Sequence, residues 1–276
     1  PDVVDWPDRV AISRRKRRVP QTQIKTQTLA QLSAGQDWRL TLAHERDHHL
    51  LIWITRGQGR LLLDGQRRGI SPHNALWVPA RSLFALELGY QCLGHAVLIP
   101  EESDVRLPEM PRQLRIRDGV AQSEIAALIE QTQREVQQGR PLQQDALKAQ
   151  VALISVWLRR QIMSDEHAAP RPKAGDRLSA RFCALIAQRK PKGGSMADHA
   201  AELGVTPTHL TRAVKAATGK SAADLLTERS CHAARRLLAE TDQTAAEIAA
   251  SLGFGSAAYF TRFMQQHSGL PPSKLR

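Results

Sequence analysis

Two short stretches near the C-terminus set small and hydrogen-bonding side chains at helical spacing, each with a threonine and an arginine. One carries Thr208, Thr211, Arg212 and Lys215, the other Ala257, Ala258, Thr261 and Arg262. Residues three and four apart share a helix face, so each set is an outward stripe opposite an apolar one. The apolar stripes are Leu210, Ala213 and Val214 in the first stretch, and Tyr259, Phe260 and Phe263 in the second. A guanidinium presents paired donors that suit O6 and N7 of guanine, and a threonine methyl suits the methyl of thymine. Arg212 and Arg262 are therefore candidate base readers, with phosphate contact alone as the other use of the same charge. Thr206 and Ser256 cap the two helices, and Ser256 is also placed for a phosphate. The other cluster that could do chemistry is His44, His48 and His49. His48 and His49 are adjacent, so on a strand they point to opposite faces. No metal site is expected there, no catalytic constellation is complete, and no cofactor is implied.

The elements that must hold the two stripes are a duplicated helix–turn–helix. Ala200 and Ala249 are small enough for two helices to cross closely, and Gly204 and Gly253 allow the left-handed backbone of a tight turn. Leu210 and Arg212 in one unit correspond to Phe260 and Arg262 in the other. Pro207 follows Thr206 at the first helical position, and Thr244 with Glu247 forms a capping box. Between the units, 221–240 reads as one continuous helix capped by Ser221, of which about 17 residues form a stiff spacer of about 25 Å at ~1.5 Å per residue. Such a spacer sets two helices into successive major grooves roughly 34 Å apart, with modest DNA bending absorbing the mismatch.

Residues 178–276 resemble the DNA-binding domain of the AraC/XylS family of bacterial transcription regulators. The resemblance is carried by Thr218-Gly219-Lys220-Ser221, Ala233-Ala234-Arg235-Arg236-Leu237-Leu238 and Glu247-Ile248-Ala249. It continues through Gly253-Phe254, Tyr259-Phe260-Thr261-Arg262-Phe263 and Gly269-Leu270-Pro271-Pro272-Ser273. It implies that Thr208, Thr211 and Arg212 sit where relatives contact bases. It also implies double-stranded DNA as partner, with RNA polymerase as a further one. His199 stands where the family has an apolar residue, so the first unit's core is expected to be looser or to carry a polar contact.

Composition agrees with an anionic partner. The 276 residues carry a net charge of +12, and 177–276 holds 14 Lys/Arg against seven Asp/Glu, so over half of that excess lies in about a third of the chain. No run approaches the ~18–20 apolar residues of a membrane span, so nucleic acid is favoured over membrane. The N-terminus shows no apolar stretch of a secretory signal. Cys92, Cys183 and Cys231 lack metal-ligand spacing, which fits free thiols in a reducing cytoplasm, with Cys231 read as packing rather than a redox switch.

Residues 1–34 form a polar arm with the basic run 14–18, read as a solvated tail, or more sharply as an arm touching DNA phosphates or the C-terminal domain. Over 35–105 the expectation is a small barrel or sandwich, with strands at 39–43, 50–56, 60–63, 75–78, 83–88 and 93–99. Gly57-Gln58-Gly59 and Asp64-Gly65 mark hairpins, the latter of type I′. Position ahead of the DNA-binding domain makes this segment similar to the family's cupin-like effector domain. Metal-binding cupins need a last histidine that 71–83 lacks. An organic effector is expected instead, held by Trp38, His44, His48, Trp53 and Trp77, although each tryptophan is also an ordinary core residue. Residues 106–164 hold two amphipathic helices. Leu147, Val151, Ile154 and Leu158 follow a 4-3-4 spacing that suits packing on the barrel or, as the family resemblance implies, a homodimer seam. A linker at 165–176 leads to the tandem helix–turn–helix domain at 177–276.

The fold class expected is thus multidomain α and β, and the function a sequence-specific DNA-binding regulator controlled by a small molecule, not an enzyme. The alternatives are a metal-dependent cupin-type enzyme fused to a DNA-binding module and a constitutive DNA-binding dimer.

Overall fold

The longest strand, β2 (His48–Arg56), is apolar on both faces from Leu50 to Ile54, and the N-terminal half is layered on either side of it. The computed structural model describes residues 23–164, 173–189, 191 and 194–276. The basic run at 14–18 and residues 165–172 of the linker lie outside that set.

Before β2 come β1 (Lys25–Thr28), α1 (Leu29–Ser33) and α2 (Trp38–Thr41). After it come β3 (Gly59–Leu63), β4 (Gln66–Ile70), β5 (Asn74–Val78), β6 (Phe84–Leu88), β7 (Leu93–Pro100) and β8 (Arg112–Arg115). One sheet has the order β1-β7-β2-β5-β8 and the other β4-β3-β6, with every pair antiparallel. Side chains alternate across a strand, so β2 sends Leu50, Ile52 and Ile54 to one face and Leu51 and Trp53 to the other. The first set meets Leu61, Leu63, Phe84 and Leu86 of the smaller sheet and fills the space between the sheets. The second set packs with Trp77, Val97 and Ile99 under α3 (Gly119–Gln138) and α4 (Gln143–Met163).

Three expectations change here. Residues 39–43 are not a strand: α2 is a single helical turn whose Leu40 enters the sheet core. Gly57-Gln58-Gly59 is not a hairpin, because β2 and β3 belong to different sheets. The β region is also wider than 35–105, since β1 and β8 pair outside those limits. The Asp64-Gly65 turn does join β3 to β4, with φ of 51° and 63°, as a type I′ turn requires.

The C-terminal half is all helical: α5 (Ala174–Gln188), α6 (Met196–Glu202), α7 (Pro207–Thr218), α8 (Ala222–Glu240), α9 (Ala245–Leu252) and α10 (Ala257–Ser268), closed by a turn of 3-10 helix at Pro272–Lys274. Helix α5 thus begins inside the expected linker. Two cores form. Leu178, Phe182, Ile186, Leu210, Val214 and Leu225 build the first, and Ile248, Leu252, Phe254, Phe260, Phe263 and Met264 the second. The first core continues into the β region through Ala43, Leu62, Leu83 and Ala85. Among the described residues, no helix is long and apolar enough to cross a membrane.

Candidate nucleic-acid interface

Helices α7 and α10 carry the two stripes, and local chemistry starts both at the expected residue. Thr206 Oγ1 accepts from the His209 amide at 3.3 Å, and Ser256 Oγ accepts from the Tyr259 amide at 3.1 Å. The Thr244 hydroxyl and the Glu247 carboxylate cap α9 reciprocally. Gly204 and Gly253 sit at φ of 71° and 87°, with Ala200 and Ala249 buried at the helix crossings. Ser221 caps the 19-residue α8, which spans about 28 Å at ~1.5 Å per residue.

Burial runs in identical register along the two helices. Leu210, Ala213 and Val214 are buried where Phe260, Phe263 and Met264 are, fifty positions on. Thr208, Arg212 and Lys215 are exposed, as are Ala257, Ala258 and Arg262, and Thr211 and Thr261 are both half-buried. Pro207, Thr208, Thr211, Arg212 and Lys215 line one shallow concavity. Thr261 donates its hydroxyl to the Ala257 carbonyl at 3.0 Å, which commits that hydroxyl within its own helix. Tyr259, expected in the core, is 45% exposed and occupies the position of His209 in the other unit. Both belong to the outward surface. The duplication itself was the signal that could have found them, because His209 is polar where Tyr259 is aromatic.

His199 is 1% exposed, edge-on to Phe182 at 6.0 Å, and neither ring nitrogen has a hydrogen-bond partner. Burial, then Arg189, holds its pKa below the ordinary 6.5. The family's apolar position is thus filled by a neutral imidazole without a polar contact.

The residues expected to hold an effector do not share a lumen. Trp77 and Trp53 lie in the core beneath α3 and α4, and Trp77 donates to the Pro108 carbonyl at 2.8 Å. The space between the sheets is filled by leucine, isoleucine and Phe84. Trp38 and His44 instead meet α8 of the helical domain, and His48 pairs with Asp47 at 3.1 Å. The four residues expected to form a dimer seam are not on the surface. Leu147, Val151, Ile154 and Leu158 are buried against the larger sheet, so they offer nothing to a second copy; the exposed apolar residues of α4 are Leu153, Val156 and Met163.

Ion pairs and hydrogen bonds tie the two halves together. Glu45 forms a two-pronged pair with Arg229 at 2.7 Å for each bond, and Arg229 also donates to the carbonyls of Ala187 and Arg189. Glu228 accepts from the Ala43 amide at 3.1 Å, Arg39 pairs with Glu240 at 3.0 Å, and Arg235 stacks over Trp38 at 4.5 Å. Ser179 donates to the Gly65 carbonyl at 2.7 Å, and a Cβ at Gly65 would fall 2.5 Å from the Ala180 nitrogen. A cleft of about 870 Å3 opens along this contact, lined by Arg46, Arg81, Arg229, Arg236, Glu45 and Met110 among others. Burial, then Arg236, pushes the pKa of Arg46 down to about 10.

Cys231 is buried, and burial pushes its thiol up to about 11, so it is packed and not poised as a thiolate. Among the described residues, no three His, Cys, Asp or Glu side chains converge so as to hold a metal ion.

Two tandem helix–turn–helix units with matched outward stripes define a DNA-binding protein. Residues 199–276 match the protein-family model described as a helix-turn-helix domain. That domain is of the AraC type, and the chain is a DNA-binding transcription regulator. Solved structures similar to it include an apo variant of ToxT from Vibrio cholerae, with 14% identity, a TM-score of 0.42, and coverage of 91% of this chain and 95% of that one. They also include the C-terminal domain of the two-component response regulator yesN from Fusobacterium nucleatum, with 21% identity, a TM-score of 0.34, and coverage of 35% and 94%. The C-terminal domain of AraT, a response regulator from Geobacillus stearothermophilus, has 26% identity, a TM-score of 0.36, and coverage of 39% and 87%. No curated protein matches the chain.

Proposed function

We propose that the chain reads an asymmetric duplex site with α7 and α10 in successive major grooves, and that a small molecule taken up between its two halves controls this. The observation that carries the first part is the shared burial register of α7 and α10, which presents Arg212 and Arg262 at equivalent positions. Thr208, Thr211 and the Thr261 methyl supply apolar and shape readout, while Thr206, Lys215 and Ser256 hold the backbone. Ala257 and Ala258 let the second helix approach closely.

The filled interior of the β region and the open cleft between the halves, lined by arginines and by Glu45, Asp47, Asp64 and Glu109, support an effector site at the interdomain contact, with polar small molecules, organic anions among them, as the matching chemistry. A homodimer and contact with RNA polymerase belong to the same reading. Footprinting on selected genomic fragments tests it. For Arg212→Ala, specific binding should weaken by about 1–3 kcal/mol while nonspecific binding changes less. Equal loss on every sequence would reduce Arg212 to a phosphate contact. A melting-temperature panel of organic anions tests the effector, since a ligand of the folded state raises the midpoint.

A further inference from the structure

At the contact between the halves, two imidazoles lie face to face. His44 follows α2, and His232 is on α8; their ring centroids are 3.9 Å apart with planes 15° from parallel. Both are buried, His44 at 1% exposure. Phe84 covers the His44 ring at 4.4 Å, and Trp38 meets His232 edge-on at 5.4 Å.

The hydrogen bonds fix the protonation state of His44. Its Nδ1–H donates to the Leu42 carbonyl at 2.8 Å, and its Nε2 accepts from the Arg46 Nε–H at 3.2 Å. A ring that donates at one nitrogen and accepts at the other is neutral. A proton on Nε2 would point at the Arg46 N–H and break that bond. The His232 ring bonds the Arg39 carbonyl through Nε2 at 3.3 Å, which makes Nε2 its donor.

The charges facing the pair do not welcome another cation. Arg46 and Arg236 face His44, and Arg236, Arg46 and Arg39 face His232. The nearby carboxylates are committed elsewhere: Glu45 to Arg229, Glu228 to Lys220, Glu240 to Arg39 and Asp47 to His48. Arg235 lies over Trp38.

We propose that the His44–His232 stack is a proton-operated latch between the β region and α8, closed with both rings neutral and opened when they take up protons. Burial is the largest cause that holds both rings well below the ordinary 6.5, followed by His232 and Arg46 for His44 and by Arg236 and Arg46 for His232. A histidine whose pKa is lowered by docking leaves the docked form undisturbed above 6.5. Below 6.5 the open form binds the proton and the docked form does not, so docking weakens as pH falls. Each ring then favours the open form by about tenfold at one pH unit below 6.5, and the pair by about a hundredfold.

Three thiols report on the latch. Cys183 is buried in the first helical core and lines the interdomain cleft, Cys231 is buried in the second helical core, and Cys92 is half-buried in the β region. The experiment follows maleimide labelling of the full chain carrying His199→Leu, which removes the buried imidazole beside Phe182 in the core that holds Cys183, by mass spectrometry at pH 7.5 and 5.5, with each rate corrected for its thiolate fraction. Expected is a rise of about a hundredfold in Cys183 labelling relative to Cys92 at the lower pH, with Cys231 still protected. His232→Phe keeps a flat ring but cannot titrate, so the rise should fall to about tenfold. The latch is overturned if Cys183 stays equally protected at both pH values, if His232→Phe leaves the rise unchanged, or if Cys231 becomes reactive in step with Cys183. The labelling makes no use of DNA, so its outcome is separate from that of the footprinting.

Discussion

The two helix–turn–helix units expose matching stripes but are held together differently. In the second, Phe254 sits 5.1 Å from Phe260 and 5.0 Å from Phe263, edge to face, and Met264 completes a core that the C-terminal domain largely supplies for itself. In the first, Phe182 has, among the described residues, only His199 for a ring partner, and the core runs on into Leu62 and Ala85 of the smaller sheet. The second unit takes only Leu42 from the β region among the described residues, whereas the first leans on the smaller sheet. A control signal that acts through the β region therefore reaches the first unit before the second.

The comparison can be broken at its aromatic end. Phe260→Ala should cost about 3–5 kcal/mol and unfold the second unit while the sheets persist, as read by urea titration with probes in each half. Next comes the tie between the halves. Glu45→Ala leaves the buried Arg229 without its carboxylate, with a loss of about 2–4 kcal/mol, and amide exchange should rise in α5 and α7 before it rises in α9 and α10.

His199→Leu makes the first unit resemble the second. A gain of about 1–2 kcal/mol is expected, because an apolar side chain replaces a buried imidazole with two unmet nitrogens. The same variant removes a pH dependence whose sign is fixed. The folded pKa of His199 lies below 6.5, so the first unit loses stability as pH falls below that value, by up to about 1.4 kcal/mol per unit. Thermal melts of the variant at pH 7.5 and 5.5 check both points. The smallest effect is Thr244→Ala, about 1 kcal/mol from the lost cap and confined to the second unit.

The duplicated units were legible because their information is local. A cap, a left-handed glycine and a small crossing residue fall within about ten positions of one another. The strands that went unread, β1, β4 and β8, are all sheet edges. Lys25–Thr28, Gln66–Ile70 and Arg112–Arg115 are mostly polar, since an edge strand is covered on fewer sides and needs no apolar run. Residues 39–43 alternate like a strand over too few positions to reveal that Trp38 must turn toward α8 while Leu40 turns inward. The contact between the halves left no local trace, because Glu45 and Arg229 are 184 positions apart. Tyr259 was misjudged because an aromatic side chain on the exposed face of a helix looks like core until its neighbours are placed.

Helix α8 is gripped along its length, by Ala43 and Glu45 at Glu228 and Arg229 and by Trp38 and Arg39 at Arg235 and Glu240. A rod of about 28 Å tilted by about 5° moves its far end by roughly 2.5 Å, close to the ~3.4 Å step between neighbouring base pairs. On the proposed function, a small rotation of the β region against α8 would therefore be enough to bring the two units into or out of phase with a duplex, with neither unit changing its own shape.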